Sequence, residues 1–251
     1  MIYAIIQARM GSSRLPGKIM LDLAGRPVLW HVIDRVNYSK YVNKIVVATS
    51  IESKNDEVRH FCDKNSVLCF SGSEDDVLDR FYNAAINNSI SDDDIIIRIT
   101  ADCPLIDPNI IDKTIERFLE VNADYASNTV IPTYPDGLDC EVMRFSALSK
   151  AWEDAKLKSE REHVTPYIRN HPELFKITSI ENDEDISSLR WTLDEKEDYQ
   201  LIKLIYDELY EENNIFLMDD ILDFAKSNPN IKDINSRYQR NEGLIKSLLN
   251  D

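Results

Sequence analysis

The sequence predicts an α/β fold built on a mostly parallel sheet with helices on both faces. Two observations carry this. In the first half, short and nearly continuous apolar runs alternate with segments of helical periodicity, the signature of strands covered on both sides. Polar and turn-forming residues follow those runs directly, and open sheets of this kind bind ligands beyond the carboxyl ends of their strands.

Taken in order, Ile2–Gln7 reads as a buried strand, followed by a loop from Ala8 to Lys18. Pro27 suits the first turn of a helix that presents Val28, Leu29, Val32, Ile33 and Val36 on one side. Lys44–Ala48 is a second strand, Asp56–Lys64 a helix, and Val67–Phe70 a short strand that leads into the turn Ser71-Gly72-Ser73. Asp75–Asn87 reads as a helix with an acidic first turn, favourable at the positive end of the helix dipole. Ile95–Ile99 is a third long strand, and Pro108 opens a helix with Ile110, Ile111, Thr114, Ile115 and Phe118 on one face. After Val121 the pattern changes. Asp124–Ser127 and Phe175–Ile180 read as strands, Val130–Asp139 carries Pro and Gly, and Leu138–Phe145 alternates weakly. Ser159-Glu160-Arg161-Glu162 has capping-box form, and Pro166 must start a new turn or kink the helix. Asp194, with Glu197 three residues on, is placed to cap a helix reaching about Tyr210, and shorter helices finish the chain. We read 1–251 as a single domain, with 122–190 as a subregion for acceptor binding and dimer contact.

Composition narrows the function. The chain has 251 residues, a formal net charge of −16 and 43% hydrophobic residues. The apolar share supports a sizeable core. The charge excludes general binding to nucleic acid or an anionic membrane. Cys62, Cys69, Cys103 and Cys140 form no CxxC pair and no Cys/His set of zinc-ligand spacing, which argues against a zinc site or a disulfide framework. With no targeting signal and no stretch long enough to span a membrane, a cytoplasmic location is expected.

Against that acidity, Ala8 to Lys18 gathers Arg9, Arg14 and Lys18 with Gly11, Ser12, Ser13 and Gly17 at a strand exit. Glycines admit backbone N–H groups close to an anion while the cations neutralise it. The loop is not a P-loop, because five residues separate Gly11 from Gly17 and Ile19 follows Lys18. It also lacks the G-x-G-x-x-G dinucleotide fingerprint. Asp102 sits at the exit of the third long strand, where Pro104 keeps Cys103 extended, and Asp194 follows Arg190–Thr192. Magnesium takes one or two protein carboxylates and fills its shell with phosphate oxygens and water. The triplet Asp92-Asp93-Asp94 precedes its strand and reads as a solvated turn.

The run Ile5-Ile6-Gln7-Ala8-Arg9 through Arg14-Leu15-Pro16-Gly17-Lys18, with Gly25-Arg26-Pro27 beyond, resembles the opening of cytidylyltransferases that activate acidic sugars, such as the 3-deoxy-manno-octulosonate and acylneuraminate enzymes. The spore coat polysaccharide biosynthesis protein F branch is the nearer likeness. It continues in Arg98-Ile99-Thr100-Ala101-Asp102-Cys103-Pro104, Tyr134-Pro135-Asp136-Gly137-Leu138-Asp139, Ser159-Glu160-Arg161-Glu162-His163-Val164-Thr165-Pro166 and Arg190-Trp191-Thr192-Leu193-Asp194-Glu195, and so reaches about residue 210. The resemblance implies a Rossmann-like nucleotide-diphospho-sugar transferase fold, a homodimer, and transfer of CMP from CTP to a sugar or sugar-acid hydroxyl. It implies that Asp102 and Asp194 hold Mg²⁺ and act in catalysis with Arg14 and Lys18. A triphosphate, one magnesium ion and two aspartates sum to about −4, and Arg9, Arg14 and Lys18 bring this to about −1.

For the nucleotide, Ala8, Arg9, Gly11, Ser12, Ser13, Arg14, Lys18, Ser71, Gly72, Thr100 and Asp102 are the expected contacts. On the acceptor side the candidates are Asn128, Asp136, Asp139, Glu141, Arg161 and His163. The acidic trio Asp136, Asp139 and Glu141 is expected to repel a bare acceptor carboxylate. Arg161 and His163 suit anion binding or proton transfer equally with a helix packed in a dimer interface. The sequence offers no firm general base. Rival readings are transfer to a phosphorylated acceptor giving a CDP-linked product, a metal-dependent glycosyltransferase, and a non-catalytic nucleotide-binding module.

Overall fold

A computed structural model describes residues 1–240, 242–248 and 251. Its strands are β1 (Ile2–Gln7), β2 (Asp22–Leu23), β3 (Arg26–Pro27), β4 (Lys44–Ser50), β5 (Leu68–Gly72), β6 (Ile95–Thr100), β7 (Tyr125–Ser127), β8 (Glu141–Arg144) and β9 (Ile177–Ser179). The helices are α1 (Val28–Asn37), α2 (Asp56–Lys64), α3 (Val77–Asn87), α4 (Pro108–Glu120), α5 (Phe145–Asp154), α6 (Lys158–His163), α7 (Pro166–Asn170), α8 (Lys196–Leu209), α9 (Met218–Ser227) and α10 (Glu242–Leu248).

Seven strands form one sheet in the order β5-β4-β1-β6-β8-β7-β9, and β2 with β3 make a separate two-stranded ribbon. β5, β4, β1 and β6 are parallel, β8 is antiparallel to both its neighbours, and β9 is parallel to β7. The chain moves outward from β1 to β4 and β5, then returns to the other side of β1 with β6. The order therefore reverses between β1 and β6, and the exits of two adjacent strands diverge there to leave a crevice.

Alternation along β1 separates two cores. Ala4 and Ile6 pack with Leu29, Val32 and Val36 of α1, Val58 and Phe61 of α2, and Ile111, Ile115 and Phe118 of α4. Tyr3 and Ile5 face the other way, onto Leu78 and Phe81 of α3 and Phe145 and Leu148 of α5. Each fully buried side chain of this size contributes about 1.5–3 kcal/mol, so the covered sheet is the main source of stability. A third cluster joins Val28 and Leu105 to Leu201, Ile205 and Tyr206 of α8. Tyr206 donates a 2.6 Å hydrogen bond to the Pro104 carbonyl, which ties α8 to the loop after β6.

Several boundaries differ from the sequence reading. β5 runs on through Ser71 and Gly72, which pair with Thr49 and Ser50 of β4, so these two residues belong to a strand and not to an exit turn. α5 had no counterpart in the sequence reading. The α8 cap lies one residue later than expected. Glu195 is the N-cap, and Asp198 in the first turn accepts from the backbone N–H groups of Asp194 and Glu195. Asp194 is thereby released from capping. α6 begins at Lys158, with Glu160 accepting from the Leu157 N–H in place of the Ser159–Glu162 box.

Candidate functional site

The loop after β1 is folded by its own backbone. Gly17 adopts φ 70°, donates to the Met10 carbonyl at 3.1 Å and starts a short 3₁₀ turn over Lys18–Met20. A left-handed conformation suits glycine, and here it drives the next side chain inward. Lys18 is accordingly buried, at 7% exposure. From the other side, Asp102 and Asp194 are brought together by a 2.8 Å hydrogen bond from the Leu193 N–H to the Asp102 carbonyl.

Lys18 Nζ lies 2.6 Å from Asp102 Oδ2 and 2.7 Å from Asp194 Oδ1. Burial alone would push the Asp102 carboxyl up, but the Lys18 charge overrides it and holds the group at about 2. Burial opposes the Lys18 charge, and the two carboxylates overcome that and raise its pKa. Arg14 reaches Asp194 at 2.9 Å, Glu195 at 3.4 Å and Glu242 at 3.3 Å. Arg9 lies 3.7 Å from Glu74, which also holds Lys54 at 2.9 Å. The loop cations thus come with acidic partners, Glu74, Glu195 and Glu242, that the charge count of the loop and two aspartates leaves out.

These groups surround a cleft of about 380 Å³ lined by Arg9, Gly11, Ser12, Ser13, Arg14, Lys18, Thr100, Asp102, His163 and Asp194 among others. The volume suits a small organic ligand. Ala8, Ser71 and Gly72 do not line it. Ala8 is buried with its N–H bonded to the Ala48 carbonyl, and the other two are held in β5.

Two smaller hollows adjoin the cleft. One, of about 210 Å³, includes Asp136, Asp139, Arg190, Gln239 and Glu242 in its lining. The other, of about 170 Å³, includes Arg98, Thr129, Asp139, Glu141, Thr165 and Arg169. The three carboxylates there are not bare, because each has its own cation. Asp136 is 3.1 Å from Arg190, Asp139 is 2.5 Å from Arg240, and Glu141 pairs with Arg98. Glu141 also accepts from Tyr125 and Thr165; burial pushes it up, but Arg98 and these donors hold it below the ordinary range. Burial lifts Asp139 to about 7 against the pull of Arg240.

Two acceptor-side candidates fall elsewhere. Asn128 is fully buried and bonds the Leu138 carbonyl and the Cys140 N–H, so it staples the 128–140 loop. Arg161 is spent on Asp76, at 2.6 Å, and on the Trp152 carbonyl, which joins α6 to α3 and α5. The sequence reading missed Arg190 as a site residue. It is buried among Asp136, Asp194 and Asp198, and fixes one carboxylate of the central pair. A lone Arg before a Trp carries no signal for this. Asp94 holds the N-terminal amine at 2.5 Å, far from the role of a metal triplet.

The sequence profile described as cytidylyltransferase matches residues 3–228. The chain belongs to the cytidylyltransferase family. It is 42% identical over 95% of its length, and 96% of the relative's, to an uncharacterized protein of Methanocaldococcus jannaschii. It is 37% identical to the spore coat polysaccharide biosynthesis protein SpsF of Bacillus subtilis, over 85% of this chain and 90% of that one. The solved structure of a cytidylyltransferase from Leptospira borgpetersenii aligns with a TM-score of 0.86 and 34% identity, covering 95% of this chain and 99% of that chain. Family and fold agree with what the opening motif implied.

For a metal, the residues present fit. Both central carboxylates already share one cation, the Lys18 ammonium. Among the described residues no group of three or more His, Cys, Asp or Glu converges to cage an ion. A donor set of two carboxylates suits an ion that takes its remaining ligands from phosphate and water, the habit of magnesium.

Proposed function

We propose that this cytidylyltransferase moves CMP from CTP to a hydroxyl of a sugar or sugar acid, releasing pyrophosphate, in the making of a surface polysaccharide or glycan. The observation that carries this reading is the meeting of Lys18, Asp102 and Asp194 at the crevice between β1 and β6, with Arg14 at its rim. The name of the Bacillus relative supports the polysaccharide setting.

In this reading Arg9, Arg14 and Lys18 bind the triphosphate, and Gly11, Ser12 and Ser13 bring backbone and hydroxyl donors to it. Asp102 and Asp194 would hold Mg²⁺, which would supply Lewis-acid charge to the transfer. Arg190 keeps Asp194 oriented. The attacking hydroxyl enters from the side of Asp136, Asp139 and Glu141, and positioning with charge stabilisation does most of the work. Arg98, already paired with Glu141, and Arg169, which donates to the Thr129 carbonyl, line that side and are the cations an acceptor carboxylate would meet there. They suit a phosphate equally, so a CDP-linked product is the second reading, and mass spectrometry of the product separates one linking phosphate from two.

The test is pyrophosphate release with CTP, UTP, GTP or ATP across a panel of sugar and sugar-acid acceptors, with and without a chelator. CTP and Mg²⁺ dependence is expected. Release that is equal with all four nucleotides, or indifferent to the chelator, would defeat the proposal. We further propose that the chain acts in the cytoplasm as a homodimer. Its four free cysteines suit a reducing compartment. The exposed Ile131, Leu157 and Leu174 offer apolar contact surface within 122–190. Sedimentation at several concentrations checks the dimer.

A further inference from the structure

His163 is the one ionisable side chain, among the described residues, that lines the Lys18–Asp102–Asp194 cleft and both smaller hollows beside it. It sits where a nucleotide in the cleft and an acceptor in the hollows would meet. The backbone is bent to put it there. Val164, next in the chain, is fully buried and holds φ 72°, a conformation that β-branched residues rarely adopt. Through that turn, the Thr165 N–H bonds the His163 carbonyl at 2.8 Å and the Thr165 hydroxyl reaches Glu141.

The ring is also oriented. Ser247 Oγ lies 2.6 Å from Glu162 Oε2 and 3.0 Å from His163 Nε2. A hydroxyl has one proton, and Ser247 donates it to the Glu162 carboxylate oxygen. Toward the imidazole it can therefore only accept, so Nε2 carries the ring proton and Nδ1 keeps the lone pair. A base, a hydroxyl and a carboxylate in sequence repeat the logic by which a general base is held in one tautomer by a third group. Ser247 belongs to α10, beyond the residues 3–228 that the family profile covers.

We propose that His163 takes the proton of the attacking acceptor hydroxyl on Nδ1, with Ser247 and Glu162 as the residues that position it. The inference rests on the cytidylyl-transfer reading above. The acceptor oxygen forms a bond to the α-phosphorus while the bond from that phosphorus to the oxygen bridging the α- and β-phosphates breaks. Pyrophosphate leaves with the electron pair, the hydroxyl proton passes to Nδ1, and the imidazolium returns it to solvent. The new positive charge is met through Nε2–H, Ser247 and Glu162. Burial lowers the His163 pKa, and Arg98 and Arg9 add to this, while Glu162 and Glu141 oppose it. Asp251 faces it from the C-terminal side. The ring is therefore neutral, and able to accept, at neutral pH.

Two measurements test this. Nitrogen-15 NMR of the histidine rings, assigned with His163→Gln, reads the tautomer without any acceptor. The expected result is a neutral ring protonated on Nε2 at pH 7.5, with the tautomer balance shifted in Ser247→Ala. A ring protonated on Nδ1, or charged at that pH, overturns the proposal. In pyrophosphate release with CTP, magnesium and an acceptor that the wild type uses, His163→Gln should lose about 10²–10⁴-fold in kcat. Its CTP affinity by calorimetry should stay within about threefold, and the acid limb of its pH–rate profile should vanish. Ser247→Ala, which deletes only an oxygen, should lose about tenfold with the acid limb moved. A His163→Gln rate within about threefold of wild type, or equal losses of rate and CTP affinity, overturns the assignment. Absence of wild-type turnover on every acceptor instead defeats the transfer reading, and the NMR result still decides the tautomer.

Discussion

Replacing Lys18 with Met keeps an unbranched side chain one atom shorter and removes its charge. Asp102 and Asp194 then face one another without the ammonium that lies 2.6 and 2.7 Å from them. Asp102 is held at about 2 against an ordinary 3.8. That depression corresponds to about 2 kcal/mol of preference for the charged carboxylate. The Asp102 side chain is only a quarter exposed, so solvent screens little of it. Because its folded pKa is lowered, the contribution is fully present above about pH 4 and fades as pH falls through about 2. At pH 7 we therefore expect Lys18→Met to lose about 2 kcal/mol, a fall in Tm of about 4–8 °C for a chain of this size. The difference from wild type should shrink as the pH approaches 2. Catalysis should suffer more, because in the proposed reading Lys18 also binds the triphosphate. Pyrophosphate release is expected to drop at least about 100-fold, the scale for deleting one stabilising charge in a site of this kind. Scanning calorimetry and a coupled pyrophosphate assay read the two effects separately. A variant with wild-type Tm at pH 7, or with kcat/KM for CTP within threefold of wild type, would refute the reasoning.

Asp194→Asn should abolish turnover and lower Tm by about 2–6 °C, since Glu195 and Asp198 still cap α8 but buried Lys18 and Arg190 each lose one of their carboxylates. Asp198→Asn should instead cost about 3 kcal/mol in thermal unfolding, because fully buried Asp198 neutralises Arg190. Gly137→Ala should give little folded protein by circular dichroism: at φ 109° its Cβ would sit 2.4 Å from the Trp191 carbonyl carbon. Gly25→Ala, at φ 83° with nothing within 4 Å, should cost only about 1 kcal/mol of backbone strain. Burial holds His31 at about 4, so the unfolded chain binds its proton first; stability should fall by up to about 3 kcal/mol from pH 6.5 to 4, a slope missing in His31→Phe.

The first half of the fold was legible because its signals are local. Ile2–Gln7, Lys44–Ser50 and Ile95–Thr100 are buried on both faces, so their apolar runs need no partner to be recognised. Past Val121 the strands are short and the sheet is mixed, with β9 parallel to β7 and β8 antiparallel to both neighbours, so β8 depends for its identity on pairing with β6 and β7. Periodicity over four residues cannot carry that information. α5 was missed for a related reason. It starts immediately after β8 with Arg144 at its N-cap and no capping side chain to announce it. At α8 the side-chain preference favours Asp194 over Glu195 as the cap, yet the helix starts at Lys196 with Glu195 at its N-cap, and Asp198 accepts from both backbone N–H groups.

Within the site, charge was legible residue by residue but not as a balance. The cations of the loop after β1 stand within ten residues of each other, and any reader of the sequence can count them. Their partners do not: Glu74 follows β5, Glu195 opens α8, and Glu242 belongs to the last helix. The same holds for the acidic trio on the acceptor side, whose neutralising arginines Arg190, Arg240 and Arg98 lie 54, 101 and 43 residues away in the chain. A count over one loop thus overstates its positive field, and a count over one acidic cluster overstates its negative field, because folding pairs each with charges of the other sign. What survives this pairing is geometry. Lys18 is shared by two carboxylates and Arg14 by three, so neither cation is fully committed to any one partner. A polyphosphate entering the cleft exchanges partners with groups already arranged around charge, and the protein need not expose a bare cation to receive it.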